Sequence, residues 1–270
     1  MQPVLLISAA KILLSLIFLA YASWSDYKTR EVSNRVWLLY APMAFALTFT
    51  ELFLSDFSML PFYGLCFGLT SAIAVTIFYS GGFGGADAKA LMCLALALPF
   101  HPQQFLGLLP FEVSPTMRFF FPLAVFSNSV LLAALTAIYM LVRNLLWRWR
   151  TGKPLFEGEQ KNESVGRKIL VLITAYKMHI KKLEAKWHLY PMENLEKAEG
   201  KIVRKLVAFP RERDRDAIVK RLAEASAAGE IPDHVWATPG LPMLIFITVG
   251  LIIALFFGDL VWMLVRLLLG

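Results

Sequence analysis

The chain has 270 residues, of which 57% are hydrophobic and 17% are charged, and its mean hydropathy is +0.58. This composition is too apolar for an ordinary soluble domain. The net charge is +7, but no stretch interleaves aromatic residues with a basic face, so the sequence predicts no nucleic-acid partner.

Six apolar stretches of about 20 residues or more, each long enough to cross a bilayer, follow one another along the chain. They predict an all-α polytopic membrane protein with transmembrane helices over 3–24, 36–55, 60–80, 88–109, 117–146 and 241–268. The first stretch contains Lys11, whose long side chain can extend toward a membrane surface. A cleaved signal peptide ending near residues 20–22 is the less favoured alternative, because no basic segment precedes the apolar run.

A basic insert separates the fifth and sixth predicted helices. The stretch 143–240 holds 20 of the 27 Lys and Arg residues and 13 of the 20 Asp and Glu residues, which gives it a net charge of +7. The chain is therefore expected to have three regions, namely 1–146, 147–240 and 241–270. Within the insert, 166–187 and 213–229 have the spacing of amphipathic helices, and the first suits either docking on anionic lipid or packing inside the insert.

The distribution of Lys and Arg among the connecting segments predicts the orientation in the membrane. The segment 25–35 holds three basic residues and 55–60 holds none, whereas the next turn contains Lys89 and the insert is strongly basic. Basic loops remain on the cytoplasmic side, so we expect both termini outside the cell and the insert in the cytoplasm.

Several acidic residues lie in or beside the apolar stretches, where a carboxylate is costly and therefore suggests a function. They are Asp26, Glu51, Asp56, Asp87, Glu112 and Asp259. The predicted orientation puts four of them at outer ends or in outer loops, where water can solvate them. Asp26 ends the first helix and Asp87 begins the fourth, both at the cytoplasmic side, so a compact bundle can bring them together.

Two carboxylates that face each other suggest aspartic protease chemistry. Like charges held close together cannot both ionise at low cost, so such a pair shares one proton. The charged member can take a proton from water, while the protonated member polarises the carbonyl group of the scissile peptide bond.

Four glycines in the sequence GGFGG, residues 81–85, lie just before Asp87. Glycine permits backbone conformations and close approaches that suit a site binding the main chain of a peptide. The same pattern is also typical of a plain turn in which Asp87 caps the next helix. Lys89 fits either a charge that sets orientation or a group that tunes Asp87, and the residue types leave these alternatives open.

Around the two acids the sequence resembles the type IV prepilin peptidases. GGADAK, residues 84–89, resembles the GxGD signature of membrane aspartic proteases, with Ala86 in place of the second glycine. SWSDYKTREVSNRVW, residues 23–37, resembles the segment that carries the first catalytic Asp of that family. VWATPGLPMLIFITVG, residues 235–250, is similar to the entry to the last span of archaeal preflagellin and prepilin peptidases. The paired CxxC motifs of the bacterial branch are missing, so no methyltransferase activity is expected.

The resemblance implies that Asp26 and Asp87 are catalytic. It also implies a site shaped by the neighbouring residues Gly84, Gly85, Ala86 and Lys89. The implied substrates are prepilin or preflagellin precursors, whose short basic leader precedes an apolar helix and is removed at the cytoplasmic face of the bilayer. No metal or organic cofactor is implied, and the four histidines form no zinc motif.

Two other classes of function remain compatible with the sequence. A proton-coupled transporter or relay could use the paired acids, although such proteins usually hold them near the middle of the bilayer. A non-catalytic assembly protein could use the same residues only to cap helices. The sequence does not indicate the oligomeric state.

Overall fold

The computed structural model describes residues 2–102, 113–198, 201–207, 214–240 and 242–269, which are mostly helical. Contacts divide the chain into two compact units. The first unit is formed by Met1–Ala133 together with Pro242–Gly270, and the second by Ala134–Leu241. Both predicted catalytic acids belong to the first unit.

The long helices form over the apolar runs of the sequence, in which Pro42 and a few glycines are tolerated. In chain order the described helices are α1 (Gln2–Thr29), α2 (Asn34–Ser55), α3 (Leu60–Tyr79), α4 (Gly85–Ala97), α5 (Pro115–Phe119), α6 (Phe121–Thr151), α7 (Val165–Thr174), α8 (Ile180–Ala185), α9 (Arg215–Ala227), α10 (Met243–Phe256) and α11 (Leu260–Leu269).

Four helices in the described ranges are long and apolar enough to cross a membrane: α1, α2, α6, and α3 with the short 3₁₀ turn before it. The pair α10 and α11 adds a fifth if it is one span, bent by 62°. α4 has only 13 residues, fewer than the about 20 that an ordinary straight span needs. Residues 103–109 of the predicted fourth span, and Glu112, lie outside the described residues.

α4 is short, yet it lies in the middle of the first unit. It contacts α1, α2, α3 and α10, and its alanines at positions 90, 95 and 97 are fully buried. Leu19 and Ala22 of α1 belong to the same apolar cluster. The small side chains of α4 let four helices approach it closely, as small residues do in membrane bundles.

The packing of α10 on α6 depends on Gly250. A side-chain carbon at this position would lie 2.8 Å from the Val125 carbonyl oxygen and 3.1 Å from the Ser129 backbone nitrogen. Both distances are shorter than ordinary van der Waals contact, so only glycine fits between these helices without a shift of the backbone.

The break between α10 and α11 is held by one buried side chain. Gly258 has a φ of 92°, in the region that favours glycine. Asn128 donates a hydrogen bond from Nδ2 to the Gly258 carbonyl oxygen at 2.9 Å and accepts one at Oδ1 from the Leu260 N–H at 2.9 Å. Asn128 therefore pairs one carbonyl group and one N–H group at the break.

Three charged residues of the first unit have partners that correct the expectations from sequence. Lys11 is 5% exposed and forms an ion pair with Glu51, which also accepts a hydrogen bond from Ser8. Asp259 is buried and accepts hydrogen bonds from Ser114 Oγ, at 2.9 Å, and from a backbone N–H of α11. Lys11 thus does not extend to a surface, and neither Glu51 nor Asp259 is simply solvated.

The second unit contains strands, so the all-α prediction is wrong for the insert although the chain is mostly helical. The described strands are β1 (Tyr176–His179), β2 (Leu189–Pro191), β3 (Glu193–Ala198), β4 (Lys201–Leu206) and β5 (His234–Pro239). β5 lies between β1 and β2 in an antiparallel sheet, and β3 pairs with β4. Strands of three to six residues carry too little periodicity to be recognised against a helical pattern.

The two amphipathic stretches of the insert have different outcomes. The predicted helix over 166–187 is instead α7, β1 and α8 in succession. The stretch 213–229 forms α9 from Arg215, and Gly229, with a φ of 74°, lies just after the helix end as expected of a glycine that stops a helix.

Replacing Gly250 with alanine is expected to destabilise the first unit, because the added methyl group overlaps backbone atoms of α6. The cost should be on the order of 1–3 kcal/mol, the range found for overpacked interiors. Thermal unfolding of the purified protein in detergent measures this as a lower midpoint.

Gly68→Ala is the matched control for this variant. Gly68 lies in α3, and an added carbon there meets no atom within 4 Å. Because alanine favours a helix over glycine by about 1 kcal/mol, its midpoint should be unchanged or higher. Equal behaviour of the two variants would contradict the close packing of α10 on α6.

Candidate active site

The end of α1 and the start of α4 lie together in the first unit. The two helices are in contact, and Ala22 and Ala90 belong to their shared apolar cluster. Asp26 lies one turn after Ala22 on the same face of α1, and Asp87 lies one turn before Ala90 on the same face of α4. The two predicted catalytic acids are therefore on the sides of the helices that face each other.

The end of α1 is fixed by local polar contacts. Arg30 has a φ of 57° and donates its backbone N–H to the Asp26 carbonyl oxygen at 2.9 Å. Ser25 Oγ donates to the Glu31 carbonyl oxygen at 2.8 Å. These contacts hold Asp26 in the last turn of α1, and its carboxylate accepts no hydrogen bond from the residues that the structure describes.

Asp87 is held by its own helix. Its Oδ2 accepts a hydrogen bond from the Gly84 N–H at 2.9 Å, so it caps the first turn of α4. Within the described part of the chain, the second carboxylate oxygen of Asp87 accepts no hydrogen bond. Capping thus uses one oxygen and leaves the other available, so the capping and catalytic interpretations are compatible.

Burial is the main cause that raises the pKa of Asp87 to about 6. The hydrogen bond from Gly84 lowers this pKa, and the negative charge of Asp26 raises it. The two carboxylates are therefore close enough for their charges to interact. A proton held by the pair removes the repulsion, and the titration then belongs to both residues together.

Gly84 and Gly85 differ in how much room their neighbours would leave for a side chain. A side-chain carbon on Gly84 would lie 3.1 Å from Asp87 Oδ2, whereas one on Gly85 would lie 3.7 Å from an aromatic ring of α3. Ala86 is partly buried and packs against the apolar cluster that contains Ala22. Of the two glycines, Gly84 is the one whose missing side chain gives the Asp87 carboxylate room.

Lys89 connects α4 to α2. Its Nζ donates a hydrogen bond of 2.7 Å to Asn34 Oδ1, in the first turn of α2. Lys89 is not among the causes of the shifted pKa of Asp87. It therefore joins two helices at this end of the unit, and no contact supports the alternative that it tunes Asp87.

Carboxylates are the reactive groups at this end of the first unit. Within the described ranges, no three His, Cys, Asp or Glu side chains are grouped so that they could hold a metal ion. The two cysteines, Cys66 and Cys93, are buried and unbridged. A pair of acids that includes Asp87, whose pKa is raised, is suited to general acid–base chemistry.

Known families match both parts of the chain. The sequence model of the type IV leader peptidase family matches residues 13–142, which include both acids. The model of the archaeal peptidase A24 C-terminus, type II, matches residues 167–260. The chain is therefore similar to the type IV leader peptidases in both matched regions. The second match covers most of the insert and of the last apolar segment, and its model describes the archaeal form.

Two preflagellin peptidases are similar to this chain over most of its length. The protein from Methanococcus voltae is 27% identical over 250 residues, which cover 91% of this chain and 94% of the relative. The protein from Methanococcus maripaludis is 27% identical over 252 residues, which cover 89% of this chain and 92% of the relative. At this coverage, the likeness extends over both units.

The raised pKa of Asp87 predicts that this peptidase loses stability as the pH rises. The pKa of Asp87 is 3.8 in the unfolded chain and about 6 in the folded chain, so between these pH values the folded chain binds more protons. The contribution of Asp87 to the free energy of unfolding is therefore fully present below pH 3.8 and is lost as the pH rises through 6. The full pKa shift of Asp87 corresponds to a change of at most about 3 kcal/mol in the free energy of unfolding. Thermal midpoints in detergent from pH 4 to 8 measure it.

Asp87→Asn is the informative variant, because an amide cannot ionise but its oxygen can still accept the Gly84 hydrogen bond. Its midpoint should fall less between pH 4 and 7 than that of the natural protein. Parallel pH profiles for the two proteins would contradict the raised pKa.

Proposed function

We propose that this chain is a membrane aspartic endopeptidase that removes the leader peptide from preflagellin or prepilin precursors. The observation that carries the proposal is that the end of α1, with Asp26, and the start of α4, with Asp87, lie together, close enough for the charge of Asp26 to raise the pKa of Asp87. It occurs in a chain whose residues 13–142 match the type IV leader peptidase family and which resembles two preflagellin peptidases.

In the proposed mechanism, Asp26 and Asp87 share one proton. The ionised carboxylate takes a proton from a water molecule, whose oxygen attacks the carbonyl carbon of the scissile peptide bond. The protonated carboxyl group donates a hydrogen bond to the carbonyl oxygen. The carbon–nitrogen bond then breaks, and the leaving amine receives a proton from the pair. A pKa of about 6 for Asp87 keeps both protonation states accessible near neutral pH.

The proposed substrate is a precursor with a short basic leader followed by an apolar helix, cut at the cytoplasmic face of the cell membrane. The orientation rests on the basic segment 25–35 and the basic insert. In this arrangement six segments traverse the bilayer, both termini lie outside and the insert lies in the cytoplasm. The four candidate spans and the bent pair α10–α11 are five of these segments. The sixth begins with α4, although its 13 described residues are fewer than an ordinary span has.

A transporter or proton relay is the less favoured function. The family and the relatives are peptidases, and Asp26 and Asp87 lie where α1 ends and α4 begins. A transporter usually holds its ion-carrying acids near the middle of the bilayer, often at broken helices.

Changing either acid to its amide is expected to abolish leader removal. Asp26→Asn and Asp87→Asn each remove a group that must gain or lose a proton, so the cleavage rate should fall by about 100-fold or more. The purified protein in detergent is incubated with a preflagellin, and the shortened product is measured by mass spectrometry.

Asp56→Asn is the control, since Asp56 is an exposed acid that caps the 3₁₀ turn before α3 and asparagine can also cap. Its cleavage rate should match that of the natural protein. Retained cleavage in either Asp26→Asn or Asp87→Asn would remove that residue from the mechanism. Proton flux into liposomes without any cleavage would favour the relay instead.

Gly84→Ala is expected to lower the cleavage rate by about 10-fold or more, because the added carbon crowds the Asp87 carboxylate and small misplacements of a catalytic group are costly. Gly85→Ala is the matched control, since its added carbon makes only an ordinary contact of 3.7 Å and should change the rate by less than about twofold. The same preflagellin assay measures both. Equal losses in the two variants would contradict a specific role for Gly84.

A further inference from the structure

One face of the sheet β1–β5–β2 carries polar residues inside the second unit. Because side chains alternate along a strand, Lys177 and His179 of β1 lie on the same face as their cross-strand partners Trp236 and His234. The other face is apolar and packs against α8 and α9. On the first face, Trp236 is fully buried and stacks on Phe156, whereas the side chains of His179 and His234 are partly exposed.

A cavity of about 590 Å³ opens on this polar face, with all its lining residues in the second unit. Its wall includes an aromatic residue from the end of α6, one buried and one exposed lysine, and residues of both charge signs. Among them are Trp147, Lys153, Glu157, Lys177, Asp233 and His234.

Lys177 is the residue that makes this cavity unusual. It is only 6% exposed, and its ammonium nitrogen lies 5.4 Å from the centre of the Trp236 ring and 6.0 Å from that of Trp147. The ammonium group donates no hydrogen bond to any residue within the described ranges. Aromatic faces attract a cation, but a buried ammonium with three N–H donors also needs acceptor atoms.

The carboxylates around Lys177 already have partners. Glu193 is fully buried and accepts two hydrogen bonds from Arg204 Nη2, at 2.8 and 2.9 Å. Glu157 accepts one from Arg204 Nη1 at 3.4 Å, and Asp233 accepts one from Ser226 Oγ at 2.8 Å. Each of these acids thus has a hydrogen-bond donor other than Lys177, which lines the cavity.

His234 lines the same cavity, and its ring centre lies 5.5 Å from that of His179. Burial lowers the pKa of His234, the nearby His179, Lys153 and Lys177 lower it further, and Asp233 raises it. Lys153 is exposed, so its flexible side chain can reach a group that enters from solvent. An anion between these residues would reduce their mutual repulsion.

We propose that this cavity binds a phosphate group, held by the Lys177 ammonium with help from Lys153 and His234. Lysine is a compact point charge that commonly binds phosphate. Trp147 lies near the end of α6, a helix long enough to cross a membrane, and the last turn of α6 carries Arg148 and Arg150. Such aromatic and basic residues mark a membrane interface, so the phosphate can come from a lipid headgroup or from solution.

Isothermal titration calorimetry of the full-length protein in a non-ionic detergent tests the proposal. Inorganic phosphate and the short-chain lipid dihexanoyl phosphatidic acid are titrated separately, each against chloride at the same ionic strength. Saturable binding of either is expected for the natural protein. Tighter binding of the lipid identifies a headgroup as the source, and equal or weaker binding of the lipid identifies free phosphate.

Two variants determine whether Lys177 is responsible. Lys177→Met keeps the unbranched apolar part of the side chain and should weaken phosphate binding by about 10-fold or more, as expected for the loss of a charged hydrogen bond. Lys182→Met, at an exposed lysine of α8, should bind as the natural protein does. Circular dichroism checks that both variants are folded.

The absence of saturable binding to the natural protein would overturn the proposal, and so would unchanged binding by a folded Lys177→Met variant. If Lys177→Met does not fold, Lys153→Met gives the deciding result, because Lys153 is exposed and its loss should not disturb the fold. If Lys153→Met binds phosphate with an affinity lower by about threefold or more, the result supports the phosphate site. Unchanged phosphate affinity would overturn it.

Discussion

The packing of α4 among four other helices is the constraint on which the site depends. Four helices surround a segment of 13 residues, and the first turn of that segment carries an acid. A buried carboxylate is costly unless it is protonated or hydrogen-bonded. Here the Gly84 N–H supplies one hydrogen bond, and a pKa raised to about 6 makes the proton available as well. The packing that makes Asp87 costly as an anion also prepares it to exchange a proton.

The sequence alone predicts most of the helices and the approach of the two acids. The predicted spans 3–24, 36–55 and 60–80 agree with α1, α2 and α3 to within a few residues at most ends, because long apolar runs have few other ways to satisfy their backbone in lipid. The closeness of Asp26 and Asp87 follows from the short connections between helices. Their catalytic roles, in contrast, come from the family resemblance and remain a prediction.

The features that the sequence does not predict arise from contacts between distant parts of the chain. The strands of the insert pair with partners far away in sequence, so β1 lies inside a stretch with helical spacing. Lys11 and Glu51 are 40 residues apart, and nothing local indicates that they meet. Lys177 has the sequence environment of a surface lysine, and only the pairing of β1 with β5 and the packing of Trp147 bury it.

The corner between α10 and α11 has a consequence for the C-terminal end of the first unit. The amide side chain of Asn128 donates a hydrogen bond to the carbonyl group before the break and accepts one from the N–H after it. In a soluble protein, a water molecule would commonly make these two hydrogen bonds. In an apolar setting, straightening or swinging this corner would expose both groups to a medium that cannot solvate them. The hydrogen bonds of Asn128 therefore fix the angle at which α11, the final ten-residue helix, continues from α10.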